Sequence, residues 1–317
     1  MTERSTSDKI RAKVILMSEC NEKIFDKFRL SGKILRETRE EIKASVHEGM
    51  PIIEICEKAE NLIRKKGGKP AFPCNVSINE VAAHYTSPPG DTKRIPEKSV
   101  VKVDIGAHVD GYVTDTAVTV CFNPDYENLV DTAERALETA IGKVKPGMAT
   151  GRLGAIIENT IKNRGFKPIS NLCGHQIGRY IIHTGTSIPN VPQISFSKFK
   201  KGAVYAIEPF VTTAEAAGRV ENGDEAMIFR FVKSRSLANP HAKTLLKHIE
   251  DNLKTLPFAE RWLQGIVPKE NHREAFQQLL KSKALMEYPV FIEASRHTVA
   301  QAEHTVLVVE DGCTVLT

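Results

Sequence analysis

The chain has 317 residues, 41% hydrophobic and 26% charged, with 44 Lys and Arg against 39 Asp and Glu for a formal charge of +5. That composition excludes a disordered or collagen-like chain and fits a soluble fold of one big domain or two ordinary ones; so mild a basic excess predicts no specific nucleic-acid partner. The charged amino terminus MTERSTSDKIRAK carries no secretory signal, no run of about eighteen apolar residues predicts a membrane span, and Cys20, Cys56, Cys74, Cys121, Cys173 and Cys313 form no CxxC pair, which together point to a reducing cytoplasm.

Taken in chain order, apolar residues at helical spacing predict helices over 24–46 and 51–66. The segment 99–122 is the best strand pair: VVKVDIGAHV alternates, Asp-Gly marks a turn and YVTDTAVTVCF is rich in β-branched residues, so it reads as a hairpin. Helices follow over 126–144 and 150–164, then a strand over 202–211. Beyond residue 224 the texture changes to helical patches at 242–256, 258–263 and 273–280, punctuated by Pro240, Pro257, Pro268 and Pro289. This reads as an inserted helical subdomain with Trp262 in its core. A last strand is predicted over 298–309, which completes an α+β layout.

The sequence repeats at an offset of 98 residues. Val46, Gly49, Met50, Glu60, Asn61, Ile63, Gly67, Lys69 and Pro70 find the same residue types at Val144, Gly147, Met148, Glu158, Asn159, Ile161, Gly165, Lys167 and Pro168. Each copy reads as a Gly-Met entry, an amphipathic helix ending in basic residues, and a Gly stop before Lys-Pro, the trace of two related halves.

In a hairpin with an even-numbered loop, residues whose numbers sum to an odd value share a face, and Asp104 and Asp115 do. A four-residue loop would set them directly opposite, with side-chain roots about 5 Å apart. Taken alone, this spacing also fits a solvated turn residue and a water-facing neighbour. Two facing carboxylates in a buried sheet repel, and a cation between them removes the conflict. His175 sits in CGHQIG, between glycines that allow close backbone approach; Glu208 lies in the apolar run YAIEPF and Glu303 just before TVLVV, where an unpaired carboxylate is costly. Four carboxylates and one imidazole suit divalent Mn, Co, Fe or Zn without selecting among them, and four negative charges balance two such ions.

Asp104, Asp115, His175, Glu208 and Glu303, in that order, resemble the ligand set of the creatinase-like pita-bread metallopeptidases, family M24. The long step from Glu208 to Glu303 leaves room for the insert that marks the type 2 methionine aminopeptidases, and the absence of a long charged extension resembles their shorter archaeal form. The strings AFPCNVSINEVAAHYTSPPGD, VKVDIGAHVDGYVTDTA, CGHQIGRYIIHTG, YAIEPF and AQAEHT are similar to family motifs. The resemblance implies a pita-bread domain of two pseudo-symmetric halves (1–223 and 290–317) and a winged-helix-like insert (224–289). It also implies two divalent ions, with Asp115 and Glu303 bridging, Asp104 on one ion and His175 with Glu208 on the other.

By the same resemblance Glu208 is general base, His84 and His183 contact the substrate's peptide link, and Phe72, Ile182 and Phe210 line a methionine pocket. Read alone, His84 is a structural histidine, and the three apolar residues are core. The implied substrate is the amino terminus of a nascent polypeptide, with initiator methionine removed when the second residue is small, by a monomer in transient contact with the ribosome. Two other readings stay open: a non-catalytic pita-bread binding protein, and a prolidase or aminopeptidase P-like peptidase. Cys173 is expected to be a small packed residue beside His175, and His241, His248, His272, His297 and His304 have no comparable claim on the site.

Overall fold

The computed structural model describes the backbone of residues 6–317 and the side chains of residues 22–317; the amino-terminal string and Cys20 fall outside the described side chains. Helices α1 (Thr6–Lys43) and α2 (Ile52–Lys65) come first. On α2, Ile52, Ile55, Cys56, Ala59 and Ile63 recur at helical spacing and are all buried, while Arg64 and Lys65 occupy the last turn, where the helix dipole favours cations.

Strands β1 (Lys69–Ile78) and β2 (Val81–Ala83) follow, then the hairpin β3 (Val100–Val109) and β4 (Tyr112–Cys121). The second half repeats the plan with α3 (Glu127–Ile141), α4 (Thr150–Lys162), β5 (Lys167–Pro168), β6 (Cys173–Ile177), β7 (Ser187–Pro189), β8 (Val204–Ile207) and β9 (Phe210–Thr212). Strand β10 (Val220–Phe231) leads into α5 (Pro240–Asn252), β11 (Phe258–Ala259) and α6 (Lys269–Lys281), and β12 (Leu285–Glu293) leads back. Strands β13 (Val299–Gln301), β14 (Glu303–Val308) and β15 (Cys313–Val315) end the chain.

The large sheet runs β1-β3-β4-β14-β8-β6-β7, with β15 also on β14; a second sheet runs β11-β10-β12-β2 and a third β13-β9-β5. One apolar core joins α1 and α2 to β1 and β3, another joins α3 and α4 to β8 and β14, and a third fills the space between α5, α6 and the ends of β10 and β12.

The 98-residue repeat has the same hydrogen bonds in both copies. Gly49 N donates to Ile95 O and Gly147 N to Phe199 O, each at 2.8 Å; Ile52 N donates to Lys93 O and Thr150 N to Ser197 O, each at 3.0 Å. The helices that follow, α2 and α4, begin 98 residues apart and each packs against the sheet, as two halves descended from one unit would.

Five expectations change, the first being that the helix expected over 24–46 spans Thr6–Lys43. The hairpin loop is two residues, not four: Val109 pairs with Tyr112 across Asp110-Gly111, both at positive φ, the type I′ geometry that Asp-Gly favours. The strand predicted over 202–211 breaks at Glu208-Pro209, because proline offers no N–H to the ladder and the chain passes from the large sheet into the third. The strand predicted over 298–309 breaks at Ala302 for the same sheet change. Phe258–Ala259 is a strand paired with Ile228 and Phe229, and only 260–263 turn as a short 3-10 helix.

Candidate metal centre

Register brings the acidic residues together. Asp104 pairs with Ala117 and Asp115 with Gly106, so the two aspartates are diagonal neighbours on one face and not directly opposite, a consequence of the shorter loop. On the other side of Ala117 stands Glu303, and the β14–β8 register, one step on from His304 opposite Ile207, sets Glu208 level with it. The adjacent row carries Asp115, Thr305, Ala206 and His175. Small residues at Gly106, Ala117 and Ala206 leave the space above the sheet to the long polar side chains. Strand alternation puts the whole set on one face.

The donors converge. Ligand-capable atoms of Asp115, His175 and Glu303 lie within 4.8 Å of one another, and the carboxyls of Asp104, Asp115 and Glu303 adjoin in series. His175 Nε2 stands 3.4 Å from Glu208 Oε1 and 3.6 Å from Asp115 Oδ2. Those gaps are long for charge-assisted hydrogen bonds, but two donors each about 2.1 Å from a shared cation at a tetrahedral angle would be about 3.4 Å apart. Asp104 Oδ1, Asp115 Oδ1 and Glu303 Oε1 are buried without a hydrogen-bond partner. Orphaned, closely spaced oxygens beside a neutral imidazole are what a divalent ion needs, so the residues fit the group.

Electrostatics agree. Burial raises the Asp104 carboxyl to about 6, and burial followed by repulsion from neighbouring carboxylates raises Asp115, Glu208 and Glu303 well above the usual range. Burial and the nearby His183 hold His175 well below the ordinary histidine value. Metal-free, the site stores protons on its carboxyls; a cation replaces them.

A cavity of about 570 Å³ opens over this face, and Phe72, His84, Ile182, His183 and Phe210 line it together with Asp104, Asp115, His175, Glu208 and Glu303. Phe72, Ile182 and Phe210 are at least 93% buried and supply an apolar wall. The His183 ring meets His175 edge-on at 4.3 Å. His84 Nδ1 lies 3.3 Å from the Pro289 carbonyl, which fixes that nitrogen as donor and leaves Nε2 as acceptor. Burial lowers its pKa to about 4, so the ring is neutral.

Several functional neighbours went unread in the sequence. Gln301 donates from Nε2 to Glu303 Oε2 at 3.2 Å, Asn75 reaches Asp104 Oδ2 at 3.5 Å, and Asn190 clamps the carbonyls of Leu172 and Glu208, each at 3.2 Å. Asn75 and Gln301 lie inside AFPCNVSINE and AQAEHT; Asn190 has no local signal. Tyr288 and Phe291, from β12, flank His84 at 5.7 and 4.5 Å. Cys173 corrects its expectation: as the first residue of β6 it is exposed and lines the cavity, because the strand end is open on that side. Trp262 is half-buried; its ring packs on the insert core while its N–H reaches out to Glu60 at 2.7 Å.

Residues 26–310 match the model of metallopeptidase family M24. The chain is 43% identical over 298 residues to the methionine aminopeptidase of Methanothermobacter thermautotrophicus, covering 93% of this chain and 99% of that protein. Among solved structures, a thermophilic Arx1 superposes with a TM-score of 0.78 at 16% identity, covering 93% of this chain and 90% of that one. The methionine aminopeptidase of Thermotoga maritima superposes with a TM-score of 0.66 at 23% identity, covering 92% and 95%. At such identities the two structures show the pita-bread fold alone. With a family match across most of its length and a relative of this identity covered nearly end to end, the chain belongs to metallopeptidase family M24.

Proposed function

We propose that the chain is a methionyl aminopeptidase that removes the initiator methionine from nascent polypeptides when the second residue is small. The observation that carries this reading is the set of four carboxylates and one imidazole on a single sheet face beneath an apolar cavity, in a chain 43% identical to a protein named for that activity. Asp104, Asp115, His175, Glu208 and Glu303 would hold two divalent ions, drawn from Co, Mn, Fe or Zn. When bound, the ions supply Lewis acidity and lower the pKa of a water.

The chain's own side chains do the rest. Glu208 takes a proton from the attacking water and returns it to the leaving amine. The acceptor Nε2 of His84 takes a hydrogen bond from the N–H of the scissile peptide, and His183 donates to the carbonyl oxygen, where charge develops. Phe72, Ile182 and Phe210 receive the thioether, which gains sulfur–aromatic contact. Segment 224–289 is proposed as a separate insert that walls one side of the cavity. The setting that suits this role is the cytoplasm, with the protein a monomer in transient contact with the ribosome; among the described residues no helix is long and apolar enough to cross a membrane.

Metal-loaded protein should release methionine from Met-Ala-Ser and little from a peptide with a bulky second residue. Release of alanine from Ala-Pro peptides instead would turn the reading to a prolidase-like enzyme, and no release from either would turn it to a binding protein.

A further inference from the structure

Glu60 on α2 is 98% buried, yet it carries a carboxylate. Arg261, from the 3-10 turn of the insert, forms an ion pair with it and is itself only 7% exposed at the side chain. Trp262 Nε1 donates to the other carboxylate oxygen at 2.7 Å, and Cys74 N donates to Glu60 at 3.2 Å. The fork of Arg261 continues: Nη1 donates to Thr86 Oγ1 at 2.9 Å and to Ser87 O at 3.1 Å, and Thr86 Oγ1 donates to Cys74 O at 2.7 Å.

Both ends of this network touch the cavity wall. Cys74 lies in the irregularity of the β1–β3 ladder between Phe72 and Asn75, where an extra residue is left out of the pairing. Glu60 and Thr86 therefore satisfy the N–H and C=O of the bulge that turns Phe72 and Asn75 into the cavity. Thr86 and Ser87 lie two and three residues beyond His84, whose φ of +67° is a left-handed conformation that an L-residue holds only when its surroundings fix it. Val76 N donates to Tyr85 O at 2.7 Å and binds that loop to β1.

The repeat isolates the cause. Glu158, the counterpart of Glu60 in the second half, is half-buried and pairs with Lys162 of its own helix at 2.9 Å; Glu60 has the matching helix partner, Arg64 at 3.8 Å, but is also sealed by Arg261 and Trp262. The half that meets the insert is the one whose glutamate is sealed in.

We propose that Glu60 and Arg261 are positioning residues: the buried pair locks the insert onto the first half and thereby sets the backbone that presents His84 and Phe72 to the substrate. The inference rests on the aminopeptidase reading and on the role of His84. The pair acts first on substrate geometry, since the metal-facing carboxylates stand on β3, β4 and β14 and just past the end of β8, and the network reaches them through Asn75, 3.5 Å from Asp104.

The test compares wild type, Arg261→Lys, and the double variant Glu60→Met with Arg261→Met. Replacing both partners of a buried pair by apolar groups commonly restores stability, whereas removing one strands a charge; lysine keeps the charge and loses the fork. We expect kcat on Met-Ala-Ser to fall about 10- to 100-fold in both variants, as displacement of a reacting group by about 1 Å does. Mn(II) stoichiometry by calorimetry should stay unchanged, with the affinity moving far less than kcat. An activity-independent readout is the His84 imidazole titration by NMR, which should move up from about 4 by at least about one pH unit as the wall loosens. Wild-type kcat, together with an unmoved His84 titration, in a folded Arg261→Lys or double variant overturns the proposal. An inactive wild type whose variants still shift the His84 titration sinks the aminopeptidase reading and keeps the lock; a double variant that fails to fold leaves Arg261→Lys to decide.

Discussion

Burial holds His84 neutral while its ring faces the cavity, and the pH dependence follows in sign. Its folded value of about 4 lies below the ordinary 6.5, so the stability tied to the neutral ring is complete above 6.5 and is lost as pH falls through 4. Melting temperatures of His84→Gln should therefore fall less steeply between pH 6.5 and 4 than those of wild type; equal slopes would remove His84 from the acid response. The same variant should lose about 10²–10³ in kcat with metal affinity intact, read by steady-state kinetics and calorimetry. Glu208→Gln should lose about 10²–10⁴ in kcat, since the amide cannot take the water's proton. Single residues were legible where chemistry clashed with context: a glutamate in YAIEPF or before TVLVV is an anomaly in any apolar strand. Lys102 and Cys173 were not. Lys102 alternates on β3 like a solvated residue, yet it is 99% buried, with Nζ donating to the carbonyls of Asn79 and Val299 at 3.0 and 2.7 Å, partners supplied from distant sequence.

Elements set the spacing of the candidate ligands. Gly106 stands opposite Asp115, and a Cβ there would lie 2.1 Å from the Phe72 ring. Gly106→Ala should push Phe72 into the cavity proposed to take methionine, raising KM for Met-Ala-Ser more than it lowers kcat while costing about 1–3 kcal/mol of stability; unfolding titration and kinetics measure both. Helices α2, α3 and α4 were readable from periodicity within a few residues of their ends, and the hairpin from its alternation and Asp-Gly turn. Strand breaks at Glu208-Pro209 and Ala302 were hidden because an apolar run looks the same whether it stays in one sheet or crosses to another. Those breaks are where Glu208 and Glu303 gain the freedom to turn toward the cavity, so the least legible backbone lies beside the most legible side chains.

At the scale of the molecule, two repeated halves supply a shared sheet, and the candidate centre draws on both: Asp104 and Asp115 from the first, His175 and Glu208 from the second, Glu303 from the returning carboxy-terminal strand. Ions held there would fasten the halves to each other. Chelation should lower the melting temperature of the loaded protein by roughly 5 °C where free metal had stood about 100-fold above its dissociation constant, a linkage of about 2.7 kcal/mol. Scanning calorimetry with and without chelator measures the shift. The most direct test of the centre is anomalous scattering from crystals of the Co(II)-loaded protein at the cobalt edge. Two peaks about 3.5–4 Å apart, each about 2.0–2.2 Å from oxygens or nitrogen of Asp104, Asp115, His175, Glu208 and Glu303, are the predicted result. Full loading with no peak among these side chains, or with ions bound elsewhere on the chain, would contradict it.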